Sequence, residues 1–429
     1  MSKHPLISIP LDIPDLRLLQ TELTKDGELI LTVESTLSTT ACRRCGRTIT
    51  ERHGVDEPRL LRHLPSFGRV VYLRIRPKRF RCPWCDDHPT TTQQLDWYDP
   101  NALHTKAYER HLILQLVNST ITDVQAKEDV TYAALLGILD RWIARSIEWE
   151  ALEPFATLGI DEIALLKGHR DFVAVISAQS EAGELHVVAV LPDRLKATVL
   201  SWLLSIPDPI RAGITTVCTD IWEGYISAVE EALPNARIVL DRFHVIRHAR
   251  DGVDTLRKQE VRRLKKELSS EEADEIKHTL WPFRKRSDAL DTTEQERVER
   301  LLVHSPALRQ AYILREQLTR IFDTARSKAD GLRRLRLWRK RVEKSALSCF
   351  DSFLKLLEVR LDLIANYFLN HQTSSFVEGL NNKLKVLKRR CYGLRNVVHL
   401  FQRLTLDLDG YRRFSPWRAS TSSSLSGNS

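Results

Sequence analysis

Three acids and four cysteines carry the chemistry legible in this 429-residue sequence. Asp161 follows the apolar run Leu158-Gly159-Ile160, Asp220 lies just past the strand-like Ile214 to Cys218, and Glu378 heads a helical pattern after Ser374-Ser375. Phosphodiester chemistry asks little of side chains beyond holding divalent metal ions, which activate water or a hydroxyl and stabilise the leaving oxygen. Mg²⁺ takes oxygen ligands and keeps several waters, so two or three carboxylates at one sheet edge suffice. Each acid also has a plainer reading. Glu162 competes with Asp161 as the ligand, although strand alternation points it to the opposite face. Asp220 can cap the helix after it, and Ser375-Phe376-Val377-Glu378 reads as a capping box.

The cysteines Cys42 and Cys45, and Cys82 and Cys85, form two Cys-x-x-Cys pairs. Each knuckle turns two thiolates toward one ion, and two knuckles complete a closed tetrahedral site for one structural Zn²⁺. The gap between the pairs exceeds that of a compact ribbon, so a hairpin is expected inside it. His53, His63 and His88 are the substitute ligands to consider. Cys218, Cys349 and Cys391 read as packing residues.

The acids need elements to position them. Ile214 to Val245 reads as a strand, an amphipathic helix with Tyr225, Ile226, Val229 and Leu233 at helical spacing, then a strand from Arg237 to Leu240 that delivers Asp241. Such a parallel βαβ unit places ligands beyond the carboxyl ends of its strands. Upstream, strands ending at Asp161, over Phe172 to Ala178 and over Leu185 to Leu191 precede a helix from Lys196 to Leu204. Three antiparallel strands, a helix, then two strands joined by a helix is the run of a ribonuclease-H-like core. Right-handed crossovers set the fourth strand beside the first, so Asp161 faces Asp220. The chain is then helical and charged to about Leu369.

The formal charge of +9 suggests a polyanionic partner, most simply nucleic acid. Residues 17–34 alternate around Lys25-Asp26-Gly27, a hairpin turn. Thr120 and Thr131 can cap two short helices, Ile121 to Lys127 and Tyr132 to Ile147, with Asp129 suited to a left-handed turn between them. These dimensions fit a helix-turn-helix whose second helix, starting at Thr131 and Tyr132, enters the major groove; an ordinary three-helix linker is the alternative. A basic segment with Arg333, Arg334, Arg336, Arg339 and Arg341 surrounds Trp338, which favours a strand-binding surface over a solvated helix face. A second basic run holds Lys383, Lys385, Lys388, Arg389 and Arg390. The N-terminus lacks a signal-peptide core and no apolar run is long enough for a bilayer, so a cytoplasmic protein is expected, nucleoid-associated when bound to DNA.

The paired knuckles, the helix-turn-helix, GIDEIALLKGHR, TDIWEGY, LDRFHVIRHA and SSFVEGLNNKLKVLKRRCYGLRN occur in the order found in one family. Over nearly its whole length the sequence resembles the DDE transposases of bacterial insertion sequences, specifically the ISL3 family. The resemblance implies catalytic roles and Mg²⁺ (or Mn²⁺) ligation, with two ions, for Asp161, Asp220 and Glu378. It likens Asp241 and His244 to an auxiliary motif at the end of the fifth strand, and the helical stretch to an insertion before the last glutamate. Ser374-Ser375 stands where the family commonly has Thr-Asn. The implied function is DNA cleavage and strand transfer at the element's terminal inverted repeats, by a homodimer or higher multimer on double-stranded DNA. A non-catalytic repressor and a structure-specific nuclease are the alternatives.

The expected architecture is multidomain α+β. An N-terminal β-rich zinc-binding domain covers 1–100 and a helix-turn-helix domain 101–150. The first part of a ribonuclease-H-like core covers 151–245, an all-α insertion 246–370 and the helical part carrying Glu378 371–414. A disordered tail covers 415–429.

Overall fold

The computed structural model describes residues 11, 13–165, 172–180, 182–369, 375–391 and 395–415, with side chains at all of these but 275, 375–378, 381 and 388. The expected disordered tail therefore lies outside the described residues, apart from Ser415. The chain forms two compact units, Met1–Ile143 with Asp409–Ser429, and Ala144–Leu408.

The first unit begins with a four-stranded sheet in the order Leu16–Leu23, Leu29–Ser35, Arg69–Ile75, Arg59–Ser66. Gly27, at φ +84°, makes the expected turn between the first two strands, its N–H donating to the Thr24 carbonyl at 3.1 Å. Val33, Leu61, Leu73 and Ile75 alternate inward to meet Leu95 and Tyr98 in a small core. The predicted hairpin between the cysteine pairs is Arg59–Ser66 with Arg69–Ile75, and Phe67 and Gly68 both take positive φ at its tip. That is the backbone hand a two-residue hairpin loop requires.

Three helices follow in this unit: Lys106–Leu116, Ile121–Glu128 and Tyr132–Trp142. Thr105, Thr120 and Thr131 each accept a backbone N–H at the N-terminus, satisfying a donor the helix leaves unpaired. Asp129 adopts the left-handed conformation expected between the last two helices (φ 50°, ψ 50°). The third helix stops at Trp142, short of the Ile147 read from periodicity, because Ile143 is extended. Buried Glu109 accepts from Arg141 at 2.5 Å and from Trp142 Nε1 at 2.8 Å, which ties the first helix to the third.

The second unit is built on a five-stranded sheet in the order Leu185–Leu191, Phe172–Ser180, Phe155–Ala164, Thr216–Thr219, Arg237–Leu240. The first three strands in sequence pair antiparallel, and the fourth and fifth run parallel to the first. Helices Lys196–Leu204 and Glu223–Ala232 make the crossovers and pack on each other. One sheet face, with Ile160, Ala174 and Ile176, joins a large core that continues through the helical segment to Phe368. The other, with Val173, Val175 and Val187, is covered by Leu380, Leu384 and Leu387 of the Ser375–Arg390 helix and by Leu400, Phe401 and Leu404.

Among the described residues every regular element from Arg242 to Leu369 is helical. The segment starts with the 26-residue helix Arg242–Glu267 directly after Asp241, four residues earlier than the boundary drawn at 246. Its far end is fastened to the sheet, since Asn366 Nδ2 donates to the Ile238 carbonyl at 2.7 Å. Gly252 admits the Cys349 carbonyl where any β-carbon would collide with it.

Candidate active site and metal centre

Strand register builds the acidic site. Ile160 pairs with Thr219, and Thr219 with Leu240, so the next residue on each of three neighbouring strands is Asp161, Asp220 or Asp241. The backbone ladders alone hold these carboxylates on strands about 4.8 Å apart. Asp241 N–H continues the ladder by donating to the Thr219 carbonyl at 2.8 Å. Antiparallel pairing sets Asp161 opposite Val175 and Ile160 opposite Ile176. Asp161, only 8% exposed, therefore lies on the face that the Ser375–Arg390 helix covers, and that helix packs on its strand. Glu378 is in the first turn of this helix. Its side chain and the proposed Ser375 capping box lie outside the described residues.

The three aspartates differ in what else they do. Asp220 Oδ1 accepts the Trp222 N–H at 2.8 Å. Burial, with the neighbouring Asp161 and Glu162 carboxylates, pushes Asp220 up to about 6, against the pull of that hydrogen bond and of His244. Asp241 is doubly committed: Oδ1 caps the long helix by accepting Phe243 N–H at 2.8 Å, and Oδ2 lies 3.1 Å from His244 Nδ1. Burial opposes charge on His244, but Asp241, Asp161 and Asp220 outweigh it and raise its pKa above the ordinary imidazole value. Glu162, the rival ligand, is held by Arg194 at 2.7 Å.

Two residues here were not singled out by the sequence reading. Arg194 lies over the rings of Phe172 and Trp222, at 4.3 and 4.4 Å from their centroids, so it links Glu162 to the loop after Asp220. Nothing local in its loop marked it. Tyr225, read only as part of an apolar helix face, is fully buried with a hydroxyl that makes no hydrogen bond. Burial, then the charges of Asp220, Glu162 and Asp161, raise its phenol well above the ordinary value. A hydroxyl at an otherwise apolar helical position was the available signal.

The candidate metal centre of the first unit is more closed. The sulfurs of Cys42, Cys45, Cys82 and Cys85 all lie within 4.8 Å of one another, the one such group of metal-ligating side chains among the described residues. Cys45 and Cys82 Sγ are 3.7 Å apart, and Cys82 and Cys85 Sγ 3.6 Å. Tetrahedral Zn–S bonds of ~2.3 Å put sulfurs ~3.8 Å apart, so four thiolates fit this ion and leave no position open. Gly46, at φ +71°, closes the first knuckle and donates to the Cys42 carbonyl at 2.9 Å. The backbone N–H groups of Cys45 and Arg44 draw Cys42 down to about 6, a thiolate at neutral pH. The histidines are otherwise engaged or distant: His88 Nδ1 meets the Cys82 carbonyl at 3.0 Å, buried His63 meets Thr105, and His53 is on an exposed strand.

The basic segments need one correction. Trp338 is not a platform for bases. It is 1% exposed, donates to the Leu314 carbonyl at 2.8 Å and meets Phe350 and Phe353 edge-on, because Leu335, Trp338 and Val342 form the inner stripe of helix Lys328–Ser345. On the same helix Arg333 and Arg334 pair with Asp330, Arg339 pairs with Glu343, Arg341 bonds Gln317 at 3.2 Å, and Arg336 is exposed. In the second run Lys383 donates to the Asp407 carbonyl at 2.6 Å and Arg390 lies 3.3 Å from the Asp407 carboxylate, while Lys385 and Arg389 are exposed. The Lys388 side chain lies outside the described residues. Thr131 spends its hydroxyl on the Ala134 N–H, and Tyr132 beside it is exposed.

Comparison with known proteins shows the family. The model of the DDE-type ISL3 family, described as Transposase, matches residues 158–404, more than half of the chain. A transposase for insertion sequence element IS1001 from Bordetella parapertussis is 26% identical over 90% of this chain and 93% of its own length. A transposase for insertion sequence element IS1557 from Mycobacterium tuberculosis is 24% identical over 88% of each chain. The match runs from the strand that carries Asp161 past the helix that carries Glu378, and the chain belongs to the ISL3 family of insertion-sequence transposases.

Proposed function

We propose that the protein binds the terminal inverted repeats of its own insertion sequence, cleaves DNA there and joins the 3′ ends to target DNA. One observation carries the catalytic part: strand register brings Asp161 and Asp220 to neighbouring positions on the sheet, and the helix bearing Glu378 packs on the strand of Asp161. The strand order is read as that of a ribonuclease-H-like core, which supports this assignment. Asp161, Asp220 and Glu378 are read as the catalytic carboxylates, with Asp241 and His244 auxiliary because both Asp241 oxygens are already engaged.

This oxygen donor set suits Mg²⁺ or Mn²⁺, and the elevated Asp220 pKa marks a place where a cation would offset the cost of a buried charge and the repulsion between carboxylates. Two bound ions would supply an activated water or 3′-hydroxyl and stabilise the leaving oxygen. Asp161 and Asp220 would hold them from rigid strands, and Arg194 would keep Glu162 from competing. In the first unit the Cys₄ centre is read as a structural Zn²⁺ site, and helices Ile121–Glu128 and Tyr132–Trp142 as a helix-turn-helix that brings Tyr132 to the major groove. Arg336, Arg341, Lys385 and Arg389 are the candidates for phosphate contact, and multimer formation on DNA belongs to the same reading.

The test is metal-dependent cleavage and joining of a labelled element end. Asp161→Asn, Asp220→Asn and Glu378→Gln should bind the end and cleave at least about a hundredfold more slowly, with Asp241→Asn milder. Normal cleavage by Glu378→Gln together with a dead Asp241→Asn would move the third carboxylate to Asp241.

A further inference from the structure

A half-buried cation in the helical segment has no partner. Arg250, two turns into the helix that starts after Asp241, makes no hydrogen bond or ion pair, and its Nε is buried. The charges that face it are mostly of its own sign: Arg315, Arg286 and Arg242, with Glu316 the opposing carboxylate. These groups are held rigidly. Arg242 and Arg286 share the Asp323 carboxylate, Arg286 also pairs with Asp288, and Arg315 is bound to the Phe283 and Lys285 carbonyls and to Glu316. Glu316 in turn accepts from the Ser287 N–H and hydroxyl. The neighbouring carboxylates are thus spent on other partners, and Arg250 has none left.

An unpaired guanidinium taken partly out of water and set among three others is costly unless an anion joins it. We propose that Arg250, in the positive field of Arg242 and Arg286, is an oxyanion site that takes a backbone phosphate of the DNA strand entering the catalytic edge. Its place in the fold selects that source. Arg242 adjoins Asp241 at the sheet edge, and Arg250 lies eight residues further along the same helix. At 1.5 Å per residue that is roughly 12 Å, or about three phosphates at 3.4 Å of rise per strand. A fork of N–H donors suits phosphate oxygens, and a fixed phosphate sets register without reading sequence. The proposal rests on the DNA-cleaving reading above for the identity of the strand, though not for the existence of an anion site.

The test uses the full chain with Arg250→Met and Arg286→Gln. Arg250→Met removes the charge and keeps an apolar stem, so without DNA its thermal stability should equal or exceed that of the parent; a structural role would lower it. Sulfate should raise the melting temperature of the parent and leave Arg250→Met nearly unmoved. Binding to a non-cognate duplex should weaken roughly tenfold, and the slope of log affinity against log salt should fall by about 0.9, the loss of one phosphate contact. An unchanged slope in both variants overturns the proposal even if end cleavage proceeds normally. A sulfate shift without a change in DNA slope means a free-anion site and overturns the assignment to DNA. Weakened self-association with the slope intact means a carboxylate of a second copy and does the same. Loss of end cleavage activity in the parent itself, with the sulfate and slope results as expected, would instead count against the catalytic reading alone.

Discussion

Replacing Asp220 with asparagine should stabilise the metal-free protein while abolishing its chemistry. The carboxyl is pushed from an ordinary 3.8 to about 6, by burial first and then by Asp161 and Glu162. Because the folded value lies above the unfolded one, the folded chain holds the proton more tightly. The stability this supplies is complete below 3.8 and is lost as pH rises through 6. At 1.36 kcal/mol per pH unit, ionised Asp220 costs roughly 3 kcal/mol above that range, or about 2 after allowance for the solvent that still reaches it. Asparagine has the same shape and keeps an Oδ1 acceptor for the Trp222 N–H, so it recovers most of that cost. In a domain of this size, about 2 kcal/mol is worth roughly 4 °C of melting temperature. The assay is thermal melting in a chelator at two acidities. Near pH 7.5 Asp220→Asn should melt higher by about that amount; near pH 5 the gap should shrink to roughly half, and it should close only below 3.8, where the unfolded carboxyl is protonated as well. Added Mg²⁺ should stabilise the parent and not the variant. A variant that melts lower near pH 7.5, or a gap that stays constant with pH, would refute the picture of crowded carboxylates.

Cys42→Ser and Cys82→Ser should each lose bound zinc and loosen roughly residues 40–90, read by metal analysis and limited proteolysis; unchanged zinc content in both would remove the four-thiolate assignment. Trp338→Ala should cost about 3–5 kcal/mol in a denaturant titration, whereas a base-stacking role would leave stability intact and weaken single-strand binding. Charge reversal at Arg336 and Arg341 should weaken binding to cognate and non-cognate DNA equally and flatten the salt dependence, and normal binding at every salt concentration would leave these arginines as a solvated face.

What the sequence determined by itself is local. The cysteine knuckles, the threonine caps, the turn at Gly27 and the left-handed Asp129 depend on residues within a few positions of one another, so spacing and type suffice. Strand period and short connections likewise led to the order of the sheet, and with it to Asp161 beside Asp220, since right-handed crossovers leave few other arrangements. Leu335, Trp338 and Val342 recur at helical spacing, but among so many arginines that spacing does not say whether the stripe is buried, and only packing decides it. Tertiary structure alone decided the partners. Glu162 is taken by Arg194, Lys383 and Arg390 turn to Asp407, and Arg250 is left unpaired by residues dozens of positions away. No pattern along the chain encodes such pairings, because a charge finds its partner through space and only the packed fold sets those distances.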